Sequence, residues 1–111
     1  MRKGLRFICN ALVYVKGESN KEVKANLQDL SEGGLSIRSD SYIDVEPNSS
    51  YMVAIIPEKE SSLEEFKLEI ESRWVKLKKN RMESGFSVIV PFDEKGFNDY
   101  LEYLAQKNKQ T

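Results

Sequence analysis

The chain has 111 residues and a formal net charge of −1, with 17 Lys and Arg against 18 Asp and Glu. A domain of this length can bury a sizeable core without disulfides or a metal. At 40% hydrophobic residues, the chain is too apolar to be disordered. The balanced charge argues against binding polyanions through bulk positive charge. Because the sequence has no histidine, it excludes Ser-His triads and zinc sites that contain histidine.

Strand patterns fill the first half of the chain. Residues 7–15 are apolar on both faces and rich in β-branched and aromatic side chains, which predicts one strand buried on most sides. Residues 23–27 alternate between apolar and polar, and residues 35–38 continue that pattern after a tight connection over residues 29–34. Residues 51–56 form the next predicted strand.

The second half continues the strand pattern up to a proline-terminated segment. Residues 66–77 alternate and then slip by one residue at Val75, which predicts a β-bulge or a bend around a barrel. Residues 78–84 are the predicted hairpin tip, and residues 86–90 the last strand. Strands at this regular spacing predict an antiparallel barrel or sandwich.

The final segment changes to a helical period. Its apolar residues recur at i, i+3, i+4 and i+7, which predicts a helix over residues 93–107 with one apolar stripe packed on the barrel. Asp93 is the expected N-cap, and Phe92 and Phe97 are placed to form a hydrophobic staple. The stripe consists of Phe97, Tyr100, Leu101 and Leu104.

The single cysteine, Cys9, cannot form an internal disulfide, and its apolar neighbours predict a small buried side chain rather than a reactive thiol. This cysteine usage fits a reduced compartment. The short apolar segment near the N-terminus lacks a small-residue cleavage site, and no stretch approaches the length of a membrane span. We therefore expect a soluble, cytoplasmic protein without membrane insertion.

Two short segments concentrate the candidate binding chemistry. Arg2 and Arg6 form an R-x-x-x-R immediately before the first strand. Asp29, Ser31 and Gly34 form a D-x-S-x-x-G at the junction of two strands. Each motif is weak by itself. The second can also be an ordinary turn, in which Asp29 and Ser31 satisfy turn amides and one of the two glycines supplies a positive φ.

Together, in this order and on this strand pattern, the two motifs resemble the signature of the PilZ domain family, bacterial receptors for the second messenger cyclic di-GMP. The resemblance covers the whole chain, because residues 73–75 and 85–86 look like the family's late strand pair. It implies a mainly β fold, a small antiparallel six-stranded β-barrel with a C-terminal α-helix. The implied parts of this single domain, residues 1–111, are an arginine loop over 2–6, a barrel over 7–91 and a helix over 93–107.

The resemblance also implies a set of ligand-binding residues for cyclic di-GMP. An arginine fork matches O6 and N7 of guanine, and it can also pair with phosphate oxygens. Asp29 can accept from the guanine N1 and N2 donors, Ser31 can donate to a phosphate oxygen, and Gly34 lets the ligand approach the backbone. The implied residues are Arg2, Arg6, Asp29, Ser31 and Gly34, with Gly33 as a weaker candidate.

The arginine loop is expected to carry the signal. Because Arg2 is the second residue of the chain, we expect residues 2–6 to be disordered in the free protein and to order on binding, at about 1–2 kcal/mol per fixed residue. Ordering would present a new surface to an unknown downstream protein partner. No enzymatic function and no cofactor are predicted, since the sequence shows no nucleophile–base pair, metal-ligand cluster or P-loop.

Two other functions stay open at this point. A ligand-independent adaptor would bind a protein through the terminal helix or through an acidic loop. The simplest interpretation of the glutamates in that loop is that they keep the protein soluble. A single-stranded nucleic-acid-binding barrel would use Trp74 and a basic hairpin, although we favour a solvated hairpin that guards against edge pairing. The loop carries Glu58, Glu60, Glu64 and Glu65, and the hairpin carries Arg73, Lys76, Lys78, Lys79 and Arg81.

Overall fold

The computed structural model describes residues 5–109, as seven strands followed by one helix. A 3₁₀ turn at Lys59–Ser61 lies between the fifth and sixth strands. The elements are β1 (Phe7–Ile8), β2 (Leu12–Lys16), β3 (Glu22–Leu30), β4 (Gly34–Ser39), β5 (Ser50–Ile56), β6 (Phe66–Lys78), β7 (Arg81–Pro91) and α1 (Glu94–Lys109).

Six of the strands close into an antiparallel barrel. The sheet order is β3-β2-β5-β6-β7-β4, and β4 pairs back onto β3. The short β1 adds a seventh strand, which pairs with the last two residues of β3. The predicted six-stranded barrel with a C-terminal helix is therefore confirmed. Among residues 5–109, no helix has the length and apolar character needed to cross a membrane.

The predicted single strand over residues 7–15 is wrong, because the chain forms β1 and β2 with a break between them. Three residues separate Ile8 from Leu12. Only two separate their partners on β3, Asp29 and Asn26. The first segment thus holds one extra residue, which is the signature of a β-bulge. The bulge keeps both strands paired with β3 while it turns the chain between them.

The β6–β7 hairpin has a shorter tip than predicted. Residues 78–84 were expected to form the tip, but β6 runs to Lys78 and β7 begins at Arg81. The turn is therefore only two residues long. Its second residue, Asn80, has φ 67°, a left-handed conformation that asparagine adopts more readily than most residues. This compact turn lets the pairing extend further than the polar sequence indicates.

The predicted irregularity in β6 is present slightly earlier than the sequence indicates. The register with β7 shifts between Ser72 and Trp74, so that Arg73 is the extra residue, whereas the sequence pattern slips at Val75. The bulge lies level with the start of β4, because the same residues of β7 pair with both segments. It places two consecutive side chains, those of Arg73 and Trp74, on the exposed surface.

Alternate residues of the strands fill the barrel, and α1 closes one end. The apolar stripe on the helix is confirmed as core, since Phe97, Tyr100 and Leu104 are buried and Leu101 is half-buried against them. Phe97 and Tyr100 pack against Phe66 at the start of β6, with ring centroids 6.1 and 5.8 Å away. The fully buried side chains within the strands include Val13, Val15, Leu27, Leu30, Leu35, Ile37, Val53, Ile55, Leu68 and Ile70.

The start of the helix follows the predicted capping pattern. The Asp93 carboxylate accepts a hydrogen bond of 3.0 Å from the backbone N–H of Gly96, which confirms Asp93 as the N-cap. The helix runs from Glu94 to Lys109 and is therefore two residues longer at its C-terminal end than predicted. The hydrophobic staple between Phe92 and Phe97 stays a prediction, with Phe92 57% exposed.

Candidate functional site

The D-x-S-x-x-G motif forms the tight turn between β3 and β4. The backbone N–H of Ser31 donates to the carbonyl of Gly34 at 2.8 Å. The buried Ser31 hydroxyl accepts from the N–H groups of Gly33, at 3.3 Å, and Gly34, at 3.1 Å. The Gly33 carbonyl in turn accepts from the N–H of Val88 on β7, at 3.0 Å. Ser31 therefore holds the shape of the turn, and β7 anchors it.

Gly34 of this turn serves close approach rather than an unusual backbone conformation. The expectation that one of them supplies a positive φ is wrong, because no glycine within residues 5–109 has one. A Cβ atom on Gly34 would lie 2.8 Å from the carbonyl oxygen of Phe86 and 3.3 Å from a guanidinium nitrogen of Arg6. A side chain at this position would therefore collide with β7 and press on Arg6.

The two sequence motifs meet through an ion pair. A guanidinium nitrogen of Arg6 donates to one carboxylate oxygen of Asp29. The other oxygen of Asp29 accepts a hydrogen bond of 2.8 Å from the hydroxyl of Ser36 on β4. Half of the Arg6 side chain is exposed, against 28% of the Asp29 side chain. The pair therefore fixes the arginine while leaving part of its donor fork free for a ligand.

A polar cleft of about 450 Å³ opens beside this ion pair, between the β3–β4 turn and the bulged part of β6. We call it the motif cleft. Both motifs contribute to its walls, and so do side chains of β4, β6 and β7 that do not belong to either motif. Its lining residues are Arg6, Asp29, Gly33, Gly34, Leu35, Ser36, Arg73, Trp74, Gly85, Phe86 and Ser87.

Only some of the ligand-binding residues predicted from the sequence line the motif cleft. Arg6, Asp29, Gly33 and Gly34 all line the motif cleft. Ser31 does not line it, since its hydroxyl is taken up by the amides of the turn behind the wall. Arg2 and the rest of residues 1–4 lie outside the described residues. The expected disorder of residues 2–6 in the free protein, with ordering on binding, stays a prediction.

Arg73 is a cleft residue that the motifs do not include. Its Nε donates to the Ser87 hydroxyl at 2.6 Å, and its guanidinium lies 3.5 Å from the Glu71 carboxylate. These contacts hold a second guanidinium on the opposite wall from Arg6. The phase slip in β6 was a signal of an unusual position, but the pairing with β7 that turns Arg73 into the cleft is not visible in the sequence.

Trp74 provides an exposed aromatic surface beside Arg73. The indole lies against Gly85 of β7, where a Cβ atom would be only 2.1 Å from the indole Nε1. Its side chain remains 41% exposed, and the Lys76 ammonium lies 5.5 Å from its ring centroid. An aromatic ring held in this way at a cleft wall can stack on a planar ligand.

The basic hairpin is partly neutralised by acidic residues. The Glu83 carboxylate lies 3.4 Å from the Lys78 ammonium and 3.6 Å from the Arg81 guanidinium. Arg73 is likewise engaged by the Glu71 carboxylate. These contacts lower the net positive charge that a single strand of nucleic acid would meet at this hairpin.

Glu58 was expected to act as solubility charge, and this expectation is wrong. Its carboxylate accepts from the Tyr100 hydroxyl at 2.6 Å and from the backbone N–H of Asn10, in the bulge between β1 and β2, at 3.0 Å. Burial, together with this hydrogen bond, raises the pKa of Tyr100. The glutamate therefore ties the helix to the N-terminal strands.

Cys9 lies in the same bulge and is partly buried. Burial, and then the nearby Glu58 carboxylate, raise the pKa of its thiol to about 12. Because the thiolate is the reactive form, this environment favours the predicted unreactive thiol.

Comparison with known proteins decides the family. The model of the PilZ domain matches residues 1–106, which is nearly the whole chain. The chain belongs to the PilZ family. PilZ domains are receptor or adaptor domains rather than enzymes. No match was found among curated protein sequences.

Solved structures of other PilZ proteins share the fold. The Bacillus subtilis inhibitor of motility MotI (DgrA) superposes with a TM-score of 0.81 at 13% identity, over 100% of this chain and 53% of that one. The PilZ domain of Escherichia coli YcgR with cyclic di-GMP superposes with a TM-score of 0.76 at 13% sequence identity, over 98% of this chain and 95% of that one. MrkH of K. pneumonia in its apo state superposes with a TM-score of 0.76 at 11% sequence identity, over 99% of this chain and 54% of that one. This chain thus spans about half the length of MotI and MrkH.

Proposed function

We propose that this PilZ domain binds cyclic di-GMP in the motif cleft. The observation that carries the proposal is the pairing of Arg6 with Asp29, because it joins the two motifs at the mouth of a polar cleft. Support also comes from the family and from the fold shared with the PilZ domain of YcgR, whose structure contains this ligand.

The walls of the cleft match the chemistry of this ligand. Cyclic di-GMP has two guanines and two phosphodiesters. The free donors of Arg6 suit guanine O6 and N7 or a phosphate oxygen, and the Asp29 carboxylate suits the guanine N1 and N2 donors. On the other wall, the Arg73 guanidinium adds positive charge and the Trp74 ring offers a surface for stacking a base.

The first role of Ser31 is to stabilise the conformation of the turn. Its hydroxyl aligns the amides of Gly33 and Gly34 along the wall that the ligand would approach. Direct donation from Ser31 to a phosphate oxygen stays a prediction, since it requires the hydroxyl to leave its present partners. Either role makes Ser31→Ala damaging to binding.

The proposal also includes Arg2 and the way in which ligand binding is signalled to a downstream protein. By the family motif, Arg2 binds the ligand together with Arg6, and binding completes the ordering of residues 2–6 across the cleft that the Arg6–Asp29 pair begins. Leu5, adjacent to Arg6, and Glu32, in the motif turn, also line a groove of about 310 Å³ against Leu101 and Ala105 of α1. A change at the motif cleft is therefore expected to alter the surface between the N-terminal segment and the helix, where a downstream protein would sense it.

Titration calorimetry with cyclic di-GMP tests the proposal. We expect saturable binding that weakens as salt is raised, since the ligand carries two negative charges. Arg6→Ala should reduce the affinity at least about tenfold, because it removes a charge-assisted contact. Arg38→Ala, at an exposed arginine of β4 that does not line the cleft, is the matched control and should bind like the wild type.

Two outcomes would overturn the proposal. One is the absence of binding heat and of a thermal shift at high ligand concentration. The other is equal loss of affinity in Arg6→Ala and Arg38→Ala, which would show that only general positive charge matters.

A further inference from the structure

The outer face of the barrel carries an apolar patch away from the motif cleft. Its residues point outward, because they alternate along β2 and β5 with buried residues of the barrel interior. The strand register places Leu12 opposite Ile56 and Tyr14 opposite Ala54. Leu12 is 37% exposed and Met52 is 41% exposed. We call this patch the outer apolar face, and it consists of Leu12, Tyr14, Met52, Ala54 and Ile56.

Charged residues flank this face in an asymmetric pattern. On the β6 side, Lys67 lies opposite Ala54 and Glu69 lies opposite Met52. On the β2 side, Lys16 is the next outward-facing residue after Tyr14. None of these three charged side chains forms an ion pair with any residue between 5 and 109. They can therefore contact a partner, with Glu22 of β3 lying opposite Lys16 in the strand register.

We propose that two copies of this chain associate through the outer apolar face, about a two-fold axis that runs along β5. Rotation about this axis lays β2 of one copy over β6 of the other. Lys16 then faces the partner's Glu69, and Lys67 reaches the partner's Tyr14 ring, a favourable cation–π geometry. Because the interface is two-fold, each contact occurs twice.

The charges favour this axis over a two-fold axis that crosses the strands at Ala54. With an axis across the strands at Ala54, each strand would lie over the same strand of the other copy, and Lys67 would meet the partner's Lys67. The repulsion between these two like charges disfavours that packing. An axis across the strands at Val53 would instead place Lys67 against the partner's Glu69, an arrangement that the double variant Lys16→Glu/Glu69→Lys would disrupt. With the axis along β5, the centre of the contact is Ala54, whose small side chain lets the two sheets approach to the usual distance of about 10 Å.

A second copy also suits the overall properties of the chain. A formal net charge of −1 gives little repulsion between copies. None of the residues that line the motif cleft belongs to the outer apolar face, so the association leaves the cleft open. This inference therefore stands independently of cyclic di-GMP binding.

Sedimentation equilibrium of the full chain over a wide range of concentration tests the dimer. We expect the wild type to show a monomer–dimer equilibrium. Lys16→Glu should weaken the dimer at least about tenfold, because it places two acidic residues in contact at two points of the interface. The double variant Lys16→Glu/Glu69→Lys restores opposite charges and should recover dimerisation.

Two further variants complete the design. Met52→Glu should also abolish the dimer, because it buries a charge in the apolar centre. Lys59→Glu, in the exposed 3₁₀ turn outside this face, is the matched control and should dimerise like the wild type. A wild type that stays monomeric at the highest concentration overturns the proposal. So does a dimer that Lys16→Glu leaves intact, or one that the double variant does not recover.

Discussion

Gly85 shapes the motif cleft because its lack of a side chain makes room for the Trp74 indole. The indole occupies the space that a side chain at residue 85 would need, since a Cβ atom there would lie 2.1 Å from Nε1 and 2.3 Å from Cε2. Trp74 is partly exposed, so it can swing away without unfolding the barrel. A substitution at Gly85 is therefore expected to change the cleft more than the stability.

Gly85→Ala tests this arrangement. We expect the emission of the single tryptophan to shift to longer wavelength as the ring moves into water, and the affinity for cyclic di-GMP to fall about tenfold with the loss of one stacked base. In the Trp74→Ala background the same substitution should cause little further loss of affinity, because the contact is already absent. Additive losses in the double variant would show that Gly85 acts by another route.

Cys9 predicts a pH dependence of stability. Its thiol has a pKa of about 12 in the folded chain, against about 8.5 when unfolded. Above the unfolded pKa, the unfolded chain releases the proton while the folded chain keeps it. The free energy of unfolding should therefore fall as the pH rises from about 8.5 towards 12, by about 1 kcal/mol over the first full pH unit beyond the unfolded pKa.

Urea denaturation at about pH 8 and at about pH 10 measures this effect. Cys9→Ala should reduce the loss of stability between the two pH values, and the remaining loss should include Tyr100, whose pKa is also raised by burial. An unchanged loss in Cys9→Ala would contradict a buried, neutral thiol.

At the scale of elements, the bulge between β1 and β2 joins the arginine segment to the helix. The backbone N–H of Asn10 leaves the strand ladder and binds Glu58, which also accepts from the Tyr100 hydroxyl of α1. One carboxylate thus connects the N-terminal strands, the segment after β5 and the helix. Its removal would take this acceptor from the buried Tyr100 hydroxyl and leave the N–H of the exposed Asn10 to water.

Glu58→Ala is expected to lower the free energy of unfolding by about 2 kcal/mol, because hydrogen bonds to a charged acceptor in a partly buried site are lost. Urea denaturation near neutral pH measures the change. Glu64→Ala, at an exposed glutamate of the same loop, is the control and should stay within about 0.5 kcal/mol of the wild type. Equal effects of the two substitutions would mean that Glu58 contributes only charge.

The elements also show what a single sequence can predict. The strand spacing predicted an antiparallel barrel or sandwich, the resemblance to the PilZ family implied the six-stranded barrel, and the i, i+3, i+4, i+7 stripe predicted the helix. The bulge after Ile8 was hidden, because residues 7–15 are apolar on both faces and a slip of one residue leaves no mark in such a run. Arg73 and Trp74 could not be placed at the cleft, since their position depends on a register shift against β7.

At the scale of the whole molecule, two surfaces lie on different parts of one barrel. The motif cleft is built from the β3–β4 turn, the β6 bulge and β7, whereas the outer apolar face belongs to β2 and β5. The separation would allow the proposed ligand binding and the proposed self-association to occur together. Both motifs were recognisable in the sequence, but the split between cleft residues and Ser31, which supports the turn, required the folded hairpin.

The most direct measurement is a titration of the isotope-labelled chain with cyclic di-GMP, followed through the backbone amide resonances. The proposal predicts that the largest shifts fall on residues 33–36, 73–74 and 85–87, around the Arg6–Asp29 pair. Amides of the outer apolar face should change little. Shifts confined to the β6–β7 hairpin tip, or no shifts at high ligand concentration, would contradict the motif cleft as the binding site.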